Sequence, residues 1–211
     1  MEAHQLVNLG RLPVRRQQSR SGNAILELSL TITALLPLLF GVAGVGTSLG
    51  RAVQATQITR DAAHMYGLGA DMSNTGTQGI IRQLGSNWNM TGSGNAVIIF
   101  SRIVKVFATD CTVAGVSCNN QDQYVFSERI AMGNTGLRSS NYGTPPSSYL
   151  DTGGDIAPNQ YMTQLSLRAN GFNLVDIGQG QNAYLTEAFY NMPDLTFLGA
   201  RARGFYVRFV Y

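Results

Sequence analysis

Between Leu28 and Leu49 the chain carries no charged side chain, a gap of 22 residues. About 20 helical residues cross a hydrocarbon core, so the gap predicts a transmembrane helix over about 25–49. Arg11, Arg15, Arg16 and Arg20 precede it, opposed only by Glu2. That bias predicts a cytoplasmic N-terminus, with everything after the span in the periplasm or outside. The formal charge of +3 belongs to this leader, since the chain beyond residue 22 carries 11 basic and 11 acidic side chains. Its arginines are scattered, which argues against a nucleic-acid surface. Only 13% of residues are charged and 24 are Gly, a composition that suits a tethered or secreted, loop-rich β protein. Two other readings of the span remain open. One is a secretory signal cut near Gly41–Gly46, although the apolar run exceeds the usual 7–15 residues; the other is a plain uncleaved anchor. A twin-arginine signal at Arg15–Arg16 lacks the apolar residues that normally follow the pair.

Glu27 sits at the edge of this span. An acid at the centre of a membrane helix costs about 2.5–3.5 kcal/mol, less near the edge, and needs a named partner. Cleavage after Gly22 would make Asn23 the N-terminus and Glu27 the fifth residue. The new α-amino group then lies one helical turn from the carboxylate. Pairing within the chain or with a neighbouring subunit offsets the burial of charge, and the second kind also sets axial register.

A basic leader, Gly22, a short run with Ala24, Glu27 and an apolar helix together resemble the type IV prepilin processing pattern. The stretches "SGNAILELSLTITALLPLLFG" and "GRAVQATQITRDAAHMYGLG" are similar to TadE-type minor pseudopilins of tight-adherence (Flp) pili. The matching positions are Gly22, Ala24, Glu27, Leu36–Pro37, Gly41, Gln57 and the run Arg60–Gly67. "AYLTEAFYNMPDL" resembles the family's C-terminal strand, with Tyr190 at its tyrosine. Leu28 stands where major Flp pilins often carry Tyr, which favours a minor subunit. About 45 N-terminal residues match well and the last 30 loosely.

The resemblance implies a pilin-like α+β fold, with a long N-terminal helix packed on a small antiparallel sheet. It implies a leader at 1–22, a helix at 23–67 and a periplasmic domain at 68–211. It implies processing at Gly22–Asn23 by a prepilin peptidase, in a bacterial inner membrane. The implied partners are other pilins, a TadF-like minor pseudopilin and the assembly platform. No cofactor and no enzymatic activity are implied. Pro37 reads as a helix kink, which membrane helices tolerate. The alternative function is an anchored or secreted periplasmic binding domain that never polymerises.

Residue patterns fill in the rest. Leu49, Val53, Thr56, Ile58, Ala62, Ala63 and Tyr66 keep a rough helical period, stopped by Gly67 and Gly69. Asp71 or Ser73 reads as the cap of a short helix in "TQGIIRQLG". "NAVIIFSRIVKVFA", "DQYVFSERIAMG" and "NAYLTEAFY" read as strands. The second places Tyr124, Phe126, Ile130 and Met132 on one face, which Glu128 interrupts. The last residues alternate, with Phe205, Val207, Phe209 and Tyr211 inward and Tyr206 and Arg208 outward. "YMTQLSLRANGFN" reads as a short helix or strand. Residues 133–160 read as one long loop, functional or mobile. Cys111 and Cys118, in the Gly- and Asn-bearing "DCTVAGVSCNN", suggest a local disulfide in an oxidising compartment, with free thiols as the alternative.

Enzymatic readings are thin. Asp151 lies in a D-T-G triplet, but paired-carboxylate chemistry needs two such groups held between strands. Asp151 and Asp155 are too few for a Ca²⁺ site of 6–8 oxygens, and turn formation fits them better. His64 has no companion ligand and reads as surface or packing. Gly178–Asn182, "GQGQN", reads as a turn. Asn89 fits a glycosylation sequon, discounted because the resemblance implies a bacterium.

Overall fold

The computed structural model describes residues 21–192, 196–197, 200–201 and 204–211. The arginine-rich leader lies outside them. The chain divides into two compact units, Met1–Ala43 and Gly44–Tyr211. One helix, α1 (Ser21–Gly67), runs through the boundary and through Pro37. After it come α2 (Thr75–Leu84), β1 (Ala96–Lys105), α3 (Ala108–Ala114) and β2 (Tyr124–Gly133). Then follow a 3-10 turn at Ser147–Tyr149, α4 (Pro158–Thr163), a 3-10 turn at Leu165–Leu167 and β3 (Ala183–Tyr190). The short hairpin β4 (Thr196–Phe197) and β5 (Ala200–Arg201) precedes β6 (Phe205–Val210). The class is α+β, as expected. The main sheet has the order β2-β1-β3-β6, with every pair antiparallel.

In the second unit, α1 buries Ala55, Ile58, Thr59, Ala62, Ala63 and Tyr66. These fall at i, i+3, i+4, i+7, i+8 and i+11, one helical face. Small side chains along it let the helix lie close on the sheet. The face meets Ile98, Phe100, Ile130, Met132, Ala188 and Tyr190 in one buried cluster. Tyr66 packs edge-on to Phe100, with centroids 5.3 Å apart, and to Tyr184 at 5.1 Å. Thr59 Oγ1 and the Tyr190 hydroxyl, both buried, lie 2.9 Å apart. The "RDAA" reading of charge on one side and close packing on the other therefore holds: Arg60 and Asp61 are exposed, Ala62 and Ala63 fully buried.

The second strand differs from its expected pattern. Arg102 pairs with Glu128, yet Ile103 pairs with Phe126, leaving Ser127 as an extra residue. A bulge of this kind reverses which face the following residues point to. Ile130 and Met132 join the helix side, while Phe126 turns to the opposite face with Ile103, Leu185 and Leu167. Period-two counting runs straight through the bulge and puts Tyr124 and Phe126 on the wrong side.

That opposite face is not open to solvent. The connection from β2 to β3 crosses it, because β3 pairs with β1 on the side away from β2. Tyr142, Ile156, Leu167, Phe172 and Ile177 cover it. The long segment 133–160 is therefore a second packing layer with its own turns. Ile156 N–H donates to Ser127 O (2.9 Å) and Arg129 N–H to Gly154 O (2.8 Å), tying this layer to β2. Tyr206 and Arg208, expected to point outward, face the layer: the Arg138 guanidinium lies over the Tyr206 ring, and Arg208, still exposed, donates to the Tyr142 hydroxyl.

Smaller differences concern local turns. Asn74 caps α2, its side chain accepting from Gly76 N–H at 2.7 Å, while Asp71 accepts from Ser73 instead. The cysteine loop contains α3, and residues 158–167 form α4 and a 3-10 turn. Replacing Ala62 with Leu is expected to overpack the helix–sheet seam and lower stability by about 1–3 kcal/mol, read as a lower midpoint in thermal or chemical unfolding.

Candidate functional site

Two surfaces stand out. The first is the N-terminal part of α1. Helix Asn23–Gly67 is long and apolar enough to cross a membrane, and its most apolar window is unburied. Ile25, Leu26, Leu30, Leu38, Phe40 and Val45 are all exposed. Two of its threonine hydroxyls are satisfied internally: Thr31 Oγ1 donates to Glu27 O and Thr33 Oγ1 to Ser29 O, each at 2.7 Å. Such back-bonding suits an apolar solvent, where an unpaired hydroxyl is costly. Gly22, Asn23 and Glu27 belong to one uninterrupted helical stretch, with Asn23 and Glu27 both exposed. Their i, i+4 spacing puts them on one face.

The second surface lies where α1 ends on the sheet, within Gly44–Tyr211. Arg102 Nη1 meets Glu128 Oε2 at 3.1 Å, and Arg102 Nη2 meets Asp155 Oδ1 at 2.5 Å. Burial alone would depress the Arg102 guanidinium, but Glu128 and Asp155 outweigh it and raise its pKa. Glu128 is pushed above the usual carboxylate range, first by burial, with Arg102 opposing and Asp155 and Asp71 adding to the rise. Burial, assisted by Glu128, holds the Tyr66 phenol far above its ordinary value. These groups line a cavity of about 250 Å³ together with Gly69, Ala70 and Tyr184. A larger cleft of about 650 Å³ lies on the other side of the Arg102–Asp155 pair, between Tyr149, Asp151, Gln160 and Tyr161.

Compared with known proteins, the chain matches no family model, no curated protein and no solved structure.

The remaining residues singled out in the sequence take structural places. Cys111 and Cys118 form a disulfide with Cα atoms 5.4 Å apart, tying the middle of α3 to the loop that follows it. Asp151 Oδ1 accepts from Gly153 N–H and Asp155 N–H, both at 2.8 Å, so its carboxylate builds a turn. Asp155 is committed to Arg102. Among the described residues, no three His, Cys, Asp or Glu side chains converge as metal donors. His64 is exposed, edge-on to Tyr211 at 6.1 Å. Asn89 caps a turn at Thr91, and Gln181 closes the Gly178 turn.

The pattern gave little notice of a second buried acid. Glu187, only 1% exposed, accepts from Asn141 N–H at 3.0 Å, the Tyr206 hydroxyl at 2.6 Å and Ser140 Oγ. Arg129 lies on the same face, its guanidinium 4.5 Å from the Phe126 ring centre, and burial pulls its pKa down to about 10 against the pull of Glu187. Glu128 did leave a sequence signal, as the acid that interrupts an apolar face. Its partners were hidden by their distance along the chain.

Two outcomes follow. Replacing Cys111 and Cys118 with Ala is expected to lower stability by about 2–3 kcal/mol, the loop-closure value for so short a ring, measured by chemical unfolding. Because the folded protein raises the pKa of Glu128, the acid favours folding most below its unfolded pKa. That contribution fades as pH climbs through the higher folded value. Glu128→Gln should therefore melt above the parent at pH 7, with the gain vanishing below about pH 4, near the unfolded carboxylate pKa.

Proposed function

We propose that the protein is a TadE-like minor pseudopilin acting in assembly of a tight-adherence type IV pilus. In this reading it inserts into a bacterial inner membrane with its N-terminus in the cytoplasm. A prepilin peptidase cuts after Gly22, and the sheet domain faces the periplasm. The apolar helix packs with other pilins and with a TadF-like minor subunit at the assembly platform, and the domain makes the specific contacts.

The observation that supports this most is the exposed apolar helix whose single charge before Arg51, Glu27, stands one turn from Asn23. A carboxylate in a lipid-facing position is tolerated when a cation neutralises it. Cleavage after Gly22 supplies that cation at the needed place. The helix's later turns carry small buried residues instead, so one element serves two solvents.

N-terminal sequencing of the membrane-extracted protein should begin at Asn23. A start near Val45 would indicate a secreted domain, and a start at Met1 a plain anchor; either sinks the proposal. Glu27→Ala, and Gly22→Leu at the cleavage site, should each reduce the number or length of assembled pili. Normal pili from both variants would equally overturn it.

A further inference from the structure

A third cavity, of about 340 Å³, opens beside α1 just past its apolar stretch. Arg51 and Gln54 of α1 line it together with Asn87, Trp88, Asn95 and Asn191. Leu49 is the last residue of the uncharged run, and Arg51 is the first charge after it. Along the helix Arg51 lies about 3 Å beyond that run and Gln54 about 7.5 Å, at about 1.5 Å per residue. Lipid headgroups occupy about 5–7.5 Å outside the hydrocarbon core. A span that ends at Leu49 therefore puts the α1 wall of this cavity at headgroup depth.

The side chains of this cavity offer mainly donors. Gln54 Oε1 already accepts from Asn87 Nδ2 at 3.1 Å, and Asn95 Oδ1 from Asn89 N–H at 2.9 Å. The NH₂ groups of Gln54 and Asn95 are what these amides still have to offer. Arg51 is exposed and forms no ion pair among the described residues. No Asp or Glu is among the described residues that line the cavity. Trp88 is only 6% exposed, yet its Nε1–H is buried with no hydrogen-bond partner among the described residues. An indole nitrogen can only donate, and a buried donor without an acceptor is costly. Four donor groups, one of them cationic, and no carboxylate suit an anion with several oxygens. The indole itself packs on Tyr190 and Phe205, at 4.8 and 5.9 Å between ring centres, so it offers no free platform for a sugar ring.

We propose that this cavity binds the phosphodiester of an anionic membrane phospholipid, at the surface where α1 leaves the bilayer. Arg51 neutralises the phosphate, and Gln54 Nε2, Asn95 Nδ2 and Trp88 Nε1 donate to its oxygens. The acyl chains follow the apolar stretch of α1 into the hydrocarbon. A zwitterionic headgroup would bring an ammonium that needs a carboxylate, and the lining supplies none, so the anionic lipids are favoured. Free phosphate presents the same oxygens but is not held beside the cavity by the bilayer. The proposal rests on the membrane-spanning reading of α1 and not on pilus assembly.

Trp88 is the only tryptophan in the chain, so the magnetic resonance signal of its indole N–H reports this cavity alone. The test uses the full chain, with the indole nitrogen isotopically labelled, in dodecyl maltoside micelles at constant ionic strength. Didecanoyl phosphatidylglycerol added to the micelles should move the indole proton downfield and saturably. Didecanoylglycerol, with the same chains and no phosphate, should leave it in place. Inorganic phosphate and glycerol phosphate, which no micelle concentrates, should act at least about tenfold more weakly. Arg51→Gln changes an exposed residue, and Asn95→Asp keeps the acceptor for Asn89 N–H while removing the donor; each should weaken the lipid several-fold. The proposal is overturned if the phospholipid gives no saturable shift, or if didecanoylglycerol shifts the signal as the phospholipid does. It is also overturned if inorganic phosphate binds as tightly, or if both variants bind as the parent does. Alkaline carbonate extraction tests the span separately. A chain stripped from membranes loses the span and this proposal with it, whereas a chain that stays and shows no indole shift overturns this proposal alone.

Discussion

Burial of β1 from both sides organises the second unit. Ala96, Val97, Ile98, Ile99 and Phe100 are all buried, so this strand has no solvent face to spare. Its even-numbered side chains need a helix that approaches closely, which the Ala55–Tyr66 face of α1 provides. Its odd-numbered ones need a second layer, which the β2–β3 connection provides. A strand buried on both faces reads as an apolar run rather than an alternation, and "AVIIF" is such a run. β2 and β3 are likewise buried along most of their length, while β6, at the sheet edge, is only half-buried.

The bulge at Ser127 lets β2 serve both layers. Before it, along the chain, Phe126 joins the back core; after it, Ile130 and Met132 join the helix core. The same irregularity sets Glu128 beside Arg102 on the helix side, where Asp155 reaches in from the covering layer. The charged cluster thus sits where three segments meet: the end of α1, the middle of the sheet and the turn at Asp151–Asp155. None of these supplies a complete site alone.

Much of this was readable in the sequence, for identifiable reasons. The long helix follows from its uncharged run and the period of Ala55–Tyr66, three strands from runs rich in β-branched and aromatic residues, and the last strand from alternation. The turn at Asp151 follows from Asp-Thr-Gly-Gly chemistry, and the disulfide from two near cysteines. What stayed hidden depended on register. One unpaired residue reversed the face of Phe126, and no local pattern announces that. The covering layer was hidden because its apolar residues, Tyr142, Ile156, Leu167 and Phe172, are spaced without period among Gly, Ser and Asn. Glu187 sits in a strand that reads as half-buried, and only the observed donors explain how its charge is accommodated.

Those donors come from separate stretches of chain. Glu187 on β3 takes its hydrogen bonds from Ser140 and Asn141 in the covering layer and from Tyr206 on β6. One buried carboxylate therefore fastens two strands and the layer across them at a single point. A buried acceptor stripped of its donors is costly, so loosening either the layer or β6 is felt by the other through Glu187.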